Sequence, residues 1–158
     1  MVDGGPIFTI DTQASVRAFD AASGRAVWAH RIELSDENDR LASGGGVATG
    51  GGRVYAGTGY GVVEALDAAT GNRLWRVNLG VPLRGAPAIA NDQLFVISQD
   101  NQLFALSLQD GSTLWDMAAT VETSGLFGAA APAVSQGTVV AGFSPGGLLA
   151  LRVESGRV

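Results

Sequence analysis

A partial β-propeller, an all-β fold made of four-stranded antiparallel blades, is what this sequence predicts, on three observations. One phrase recurs, as AFDAASGRAVW (Ala18 to Trp28), ALDAATGNRLW (Ala65 to Trp75) and ALSLQDGSTLW (Ala105 to Trp115), and it begins again as ALRVESGRV from Ala150. Its turn glycines, Gly24, Gly71, Gly111 and Gly156, are 47, 40 and 45 residues apart, a period that marks a repeat architecture. The middle segments are apolar at successive positions, as in Leu94-Phe95-Val96-Ile97 and Val139-Val140-Ala141. Such runs mean burial on both faces of a sheet, which stacked sheets provide and a single solvated sheet does not. The opening stretch of each repeat is built from small residues, such as Ala86, Ala88, Ala131 and Ala133, which fit where several sheets converge on an axis.

The elements follow in order. The first repeat begins at PIFTID and lacks an opening strand. The second divides into GVATG, RVYAGTG, VVEALDA and RLWRVNL. The third divides into GAPAIA (Gly85 to Ala90), QLFVIS (Gln93 to Ser98), QLFALSL (Gln102 to Leu108) and STLWDM (Ser112 to Met117). The fourth supplies APAVS, TVVAGFS and LLALRVE, with its last strand barely begun. Asn91-Asp92, Asp100-Asn101 and Asp110-Gly111 separate strands with pairs that favour tight reversals. Pro87 and Pro132 stand at matching places in the opening strands, where a proline nitrogen needs no ladder partner only at an edge. An innermost strand lining a central channel meets that need. The blades run approximately over 1–43, 44–83, 84–127 and 128–158, the last incomplete, as one partial propeller.

Within the repeated phrase each residue type has a structural task. Asp20 and Asp67 are placed to accept hydrogen bonds from the turn backbone, and Gly24, Gly71 and Gly111 to take the left-handed conformation that closes it. Trp28, Trp75 and Trp115 are then expected to dock across the turn of the neighbouring blade, burying each ring between blades. Truncating such a ring costs roughly 3–5 kcal/mol.

Composition narrows the function classes. At 158 residues, 46% hydrophobic and 16% charged, the chain is too apolar for disorder. No apolar run approaches the roughly 18–20 residues of a membrane-spanning helix, and MVDGGPIFTI has no basic start or long apolar segment of a signal peptide. The net charge is −5 and every one of the ten basic residues is arginine, which offers no electrostatic footprint for nucleic acid or an anionic membrane. The absence of cysteine excludes disulfides, thiolate metal sites and cysteine nucleophiles.

Catalytic signals are weak. The sole histidine, His30, lies two residues past Trp28 on an outer strand and reads as a solvated edge residue. Glu33, Asp36, Glu37 and Asp39 form the densest acidic cluster, in a long polar segment beside Arg40 that reads as a solvated loop. Asp11, Asp92, Asp100 and Asp110 fall at strand ends as turn formers. The runs Gly44-Gly45-Gly46 and Gly50-Gly51-Gly52 precede neither a lysine nor a helix, so they read as turns around an inner strand and not as a phosphate cradle. No catalytic, cofactor-binding or metal residue is assigned.

The phrase AxDxxTGxxxW resembles the tryptophan-docking motif of eight-bladed PQQ-type propellers. Ala65, Asp67, Thr70, Gly71 and Trp75 match it in full, the first copy has Ser23 for threonine, and the third has Ser107 and Asp110 at the Asp and Thr places. The stretch from Ser43 to Leu79 and the run DMAATVETSGLFGAAAP after Trp115 are similar to the BamB family, the propeller lipoproteins of the outer-membrane β-barrel assembly machine. That resemblance implies about three and a half blades of an eight-bladed ring. It also implies a periplasmic scaffold with no cofactor, tied to the outer membrane by a lipid anchor outside these residues and not itself inserted. The implied partners are a BamA-like barrel subunit and unfolded outer-membrane protein segments. Its implied contact is Ser124, Gly125, Leu126 and Phe127, where Leu126 keeps a family leucine, Ser124 replaces another, and Phe127 replaces an arginine. Phenylalanine removes the charge-assisted part of such a contact and leaves either an aromatic anchor or a ring packed under its own loop. Two alternatives share the motif: part of a PQQ-dependent quinoprotein dehydrogenase, and a propeller sensor or recognition domain.

Overall fold

A computed structural model of the chain describes residues 5–34, 45–119, 131–143 and 147–158. These form an all-β molecule with no helix, in which fourteen strands make four antiparallel sheets. Sheet I holds β1 (Ile7–Ile10), β2 (Ser15–Phe19) and β3 (Ala26–Arg31). Sheet II holds β4 (Gly45–Gly50), β5 (Arg53–Thr58), β6 (Val62–Asp67) and β7 (Arg73–Asn78). Sheet III holds β8 (Leu83–Ala90), β9 (Gln93–Ser98), β10 (Gln102–Ser107) and β11 (Thr113–Ala118). Sheet IV holds β12 (Ala133–Ser135), β13 (Thr138–Phe143) and β14 (Gly147–Arg152). Within each sheet every strand pairs with the next in sequence, so every sheet is a meander with no crossover.

The sheets stack face to face, and side-chain alternation sends successive residues of one strand into different cores. On β9, Leu94 and Val96 join Tyr55, Val63 and Trp75 in a core between sheets II and III. Phe95 and Ile97, one step away, join Val139, Ala141 and Leu151 in a core between sheets III and IV. Val54, Ala56 and Leu66 of sheet II meet Phe8, Val16 and Ala18 of sheet I in a third core. The unbroken apolar runs on the middle strands therefore serve two seams at once.

Inner strands come very close together. A Cβ added to Gly46 on β4 would lie 2.6 Å from the Cβ of Ala86 on β8, nearer than real Cβ contacts allow. Small residues on the opening strands are thus required by the approach of neighbouring backbones. The β8–β9 register breaks between Arg84 and Ala88, where Pro87 has no N–H to give and Gly85 has φ +66°. Two of the differences from the boundaries expected from sequence have a clear structural cause. β8 starts at Leu83, ahead of Gly85, because Leu83 and Arg84 pair with Ser98 and Ile97 before the bulge. β12 is confined to Ala133–Ser135, so Pro132 precedes the ladder.

Tight turns follow the sequence. Asn91 and Asp92 both have positive φ, at 48° and 60°, as a two-residue hairpin of the primed type requires. At the repeated phrase, Asp67 Oδ1 accepts from the amides of Ala69 and Thr70 at 2.8 and 3.0 Å, and Gly71 closes the turn at φ +75°. In the third copy the two acceptors are exchanged along the turn. Ser107 Oγ accepts from Gln109 N at 3.2 Å and Asp110 Oδ1 from Ser112 N at 3.0 Å, so the turn keeps both side-chain acceptors.

Candidate functional site

Three indoles sit at the three seams in one arrangement. Trp28 Nε1 donates to Ala68 O at 2.9 Å, Trp75 Nε1 to Leu108 O at 3.0 Å, and Trp115 Nε1 to Val153 O at 2.8 Å, each acceptor lying in the turn of the next sheet. Each ring also lies against that turn's glycine. A Cβ on Gly71, Gly111 or Gly156 would come within 2.5–2.6 Å of the Trp28, Trp75 or Trp115 ring. Those glycines therefore answer to two constraints, positive φ and the absence of a side chain under the indole. Within its own sheet each tryptophan meets an aromatic ring across an alanine. Phe8 and Trp28 flank Ala18, Tyr55 and Trp75 flank Ala65, and Phe95 and Trp115 flank Ala105, with ring centroids 5.8, 6.0 and 5.9 Å apart. All three alanines are fully buried.

Between sheets I and II the seam also holds a charged cluster that the sequence reading does not anticipate. The Glu64 carboxylate has no solvent exposure, and its Oε2 lies 2.7 Å from His30 Nε2. Its Oε1 accepts from Arg76 Nη1 at 2.9 Å, with Arg73 Nη1 at 3.6 Å. Arg76 also donates to Glu33 O at 2.7 Å. His30 is therefore not the solvated edge residue expected from its place on an outer strand: its side chain is 24% exposed and spans the seam. The expectation failed because residues two beyond a docking tryptophan share its face and turn towards the next sheet. The same alternation, applied to both strands, would have found the pair. Among the described residues no three His, Asp or Glu side chains gather into a metal-binding group.

Every connection between sheets leaves from one end of the stack. Ile32 N bonds Ala14 O, Leu79 N bonds Gly61 O, and Ala119 N bonds Asn101 O, so each outer strand departs beside the turn between the two middle strands. A shallow cavity of about 140 Å³ opens at this end between sheets I and II, lined among others by Asp11, Thr12, Thr58 and Tyr60. The connection from β11 to β12 leaves from the same end, after Ala119. Ser124, Gly125, Leu126 and Phe127, the candidate partner contacts, lie within it and outside the described residues; Asp36, Glu37 and Asp39 of the acidic cluster, between β3 and β4, are also outside the described residues.

Comparison with known proteins places this architecture. The chain matches the family model described as outer membrane protein assembly factor BamB over residues 12–158. It is 29% identical over 161 aligned residues to the outer membrane protein assembly factor BamB of Yersinia pestis, covering 98% of this chain and 40% of that protein. The crystal structure of BamB from Moraxella catarrhalis superposes with a TM-score of 0.77 at 24% identity, over 99% of this chain and 44% of that one. The quinohemoprotein alcohol dehydrogenase from Comamonas testosteroni shares the fold less extensively, with a TM-score of 0.63 at 23% identity over 74% of this chain and 20% of that enzyme. The chain thus spans two fifths of the length of its Yersinia relative, and over that span it belongs to the outer membrane protein assembly factor BamB family.

Proposed function

We propose that this chain contributes about three and a half blades, over 1–43, 44–83, 84–127 and 128–158, to an eight-bladed propeller. On this reading the propeller works without chemistry, as a periplasmic scaffold in the assembly of outer-membrane β-barrels. A lipid anchor outside residues 1–158 would hold it at the outer membrane, and no helix among the described residues is long and apolar enough to cross one. The observation that carries the proposal is the family match over residues 12–158, against a likeness to dehydrogenases that extends over only 74% of the chain.

The connection between β11 and β12 is the proposed contact with a BamA-like barrel subunit, through Ser124, Gly125, Leu126 and Phe127. Two features support it. The connection departs from the end of the stack that carries all the links, where loops are held by rigid sheets. Leu126 and Phe127 supply apolar and aromatic anchors of the kind that dominate interfaces. Unfolded outer-membrane protein segments are a second proposed partner. The test is capture of the BamA-like subunit by the Leu126→Ala, Phe127→Ala double variant. Capture is expected to weaken by at least about tenfold, as loss of two hot-spot side chains implies, with the far-UV spectrum unchanged. Undiminished capture overturns the proposed contact.

A further inference from the structure

The far face of sheet I, turned away from sheet II, has the parts of a fourth seam. Asp20 Oδ1 accepts from the amides of Ala22 and Ser23 at 3.0 and 2.7 Å, and Gly24 N bonds Asp20 O at 2.8 Å, as in the turn around Gly71. Gly24 has φ +70°, yet among the described residues nothing lies within 4 Å of where its Cβ would be. Its counterparts Gly71, Gly111 and Gly156 each lie under an indole. The same face carries Arg17, half exposed and 3.5 Å from Asp11.

The three occupied seams obey a pairing rule. The residue two beyond each tryptophan faces the next sheet at a fixed place on that sheet's third repeat strand. His30 meets Glu64, while Val77 and Phe104 border one apolar core and Met117 and Leu149 another. Polar faces polar and apolar faces apolar. By the spacing of the turn glycines, Arg17 occupies in sheet I the place of Glu64 in sheet II. A sheet stacked here covers Arg17, and one contact to Asp11 at 3.5 Å leaves most of the guanidinium's N–H donors to water, so covering it is costly unless a further acceptor is brought with the sheet.

We infer that this face receives the outer strand of a further repeat sheet in which a tryptophan is followed, two residues later, by an acidic side chain. The indole occupies the Gly24 turn and the carboxylate takes Arg17. A second copy of residues 1–158 does not fit, because its own residues at that place are His30, Val77 and Met117. This inference rests on the stacked-blade reading above and adds the chemistry of the neighbour.

The test joins a copy of residues 45–92 to Pro6, so that the copied inner strand and its Asn91-Asp92 turn lead into β1 as they lead into β9. Four proteins are compared: the copy with valine or with Val77→Glu, each with Arg17 or with Arg17→Glu in the chain itself. Hydrogen exchange over residues 20–25 reads the covering of the turn, and equilibrium unfolding reads the charge pair. Slower exchange is expected with either copy. Val77→Glu is expected to raise the folding equilibrium constant about fivefold beside Arg17, the upper range for a partly exposed ion pair, and to lower it beside Arg17→Glu. Protection of the turn without that reversal overturns the acidic partner and leaves the stacking intact. An unprotected turn in all four overturns both.

Discussion

Glycine at the repeated turn is constrained twice, and the two constraints can be separated. Gly24 and Gly71 share a positive φ, at 70° and 75°, but only Gly71 lies under an indole. Gly24→Ala is therefore expected to cost only the left-handed penalty of about 1–2 kcal/mol. Gly71→Ala adds displacement of the Trp28 ring, about 1–3 kcal/mol more by analogy with overpacking. Equal losses for the two in urea unfolding would refute the role given to the ring. The turn acids make a second prediction at this scale. Asp20 is held below the ordinary carboxylate range by hydrogen bonds from the Ser23 amide, the Ser23 hydroxyl and the Ala22 amide, and Asp110 by the Ser112 amide and hydroxyl. A carboxylate lowered on folding stabilises the folded state above its unfolded pKa, and that contribution is lost as the pH falls through its folded value. Asp20→Asn, which keeps an acceptor but neither its charge nor its titration, should flatten the acid limb of a stability–pH curve by lowering neutral-pH stability towards its value in acid. A limb as steep as that of the parent would contradict this.

At the scale of elements, the seam between sheets I and II differs from the other two in being bridged by ions. Glu64 is fully buried, so removing one partner and replacing both His30 and Glu64 should have different consequences. His30→Ala leaves a buried carboxylate short of a hydrogen bond and is expected to cost about 1–3 kcal/mol. The double replacement His30→Val with Glu64→Phe copies the residues that stand at the seam between sheets II and III. It leaves Arg76 with Glu33 O as an acceptor and, because no carboxylate stays buried, is expected to cost less than His30→Ala, as when apolar residues replace other buried ion pairs. A double variant less stable than His30→Ala would show that the ionic seam is not replaceable by packing. Each outer strand also bulges just before its tryptophan, with register breaks after Ala18, Ala65 and Ala105. The bulge turns the indole onto its own aromatic partner and leaves Val27, Leu74 and Leu114 on the outside.

For the molecule as a whole, stability comes from nearest-neighbour seams, as in other repeat stacks. Sheet IV, at one end of the stack, keeps apolar side chains in solvent: Leu148 is 74% exposed and Val140 37%. Uncovered apolar surface and open strand edges favour association between copies. Residues 1–158 alone are expected to self-associate as concentration rises, with Leu148→Lys shifting light scattering towards the monomer. A monomer at all concentrations for the parent chain would contradict this expectation.

The sequence by itself determined the repeat, its period, the turn chemistry and the demand for burial on two faces. Those features are periodic or local, and residues such as Asp67, Gly71 and the run from Leu94 to Ile97 declare them within a few positions. Only the tertiary structure decided which residues meet across a seam. His30 and Glu64 are 34 positions apart, and each alone looks like an ordinary polar residue of a strand. Their pairing depends on which face each side chain takes and on which sheet stacks against which. That is a property of the assembled stack, where a buried carboxylate must find its partners on the neighbouring sheet as well as on its own.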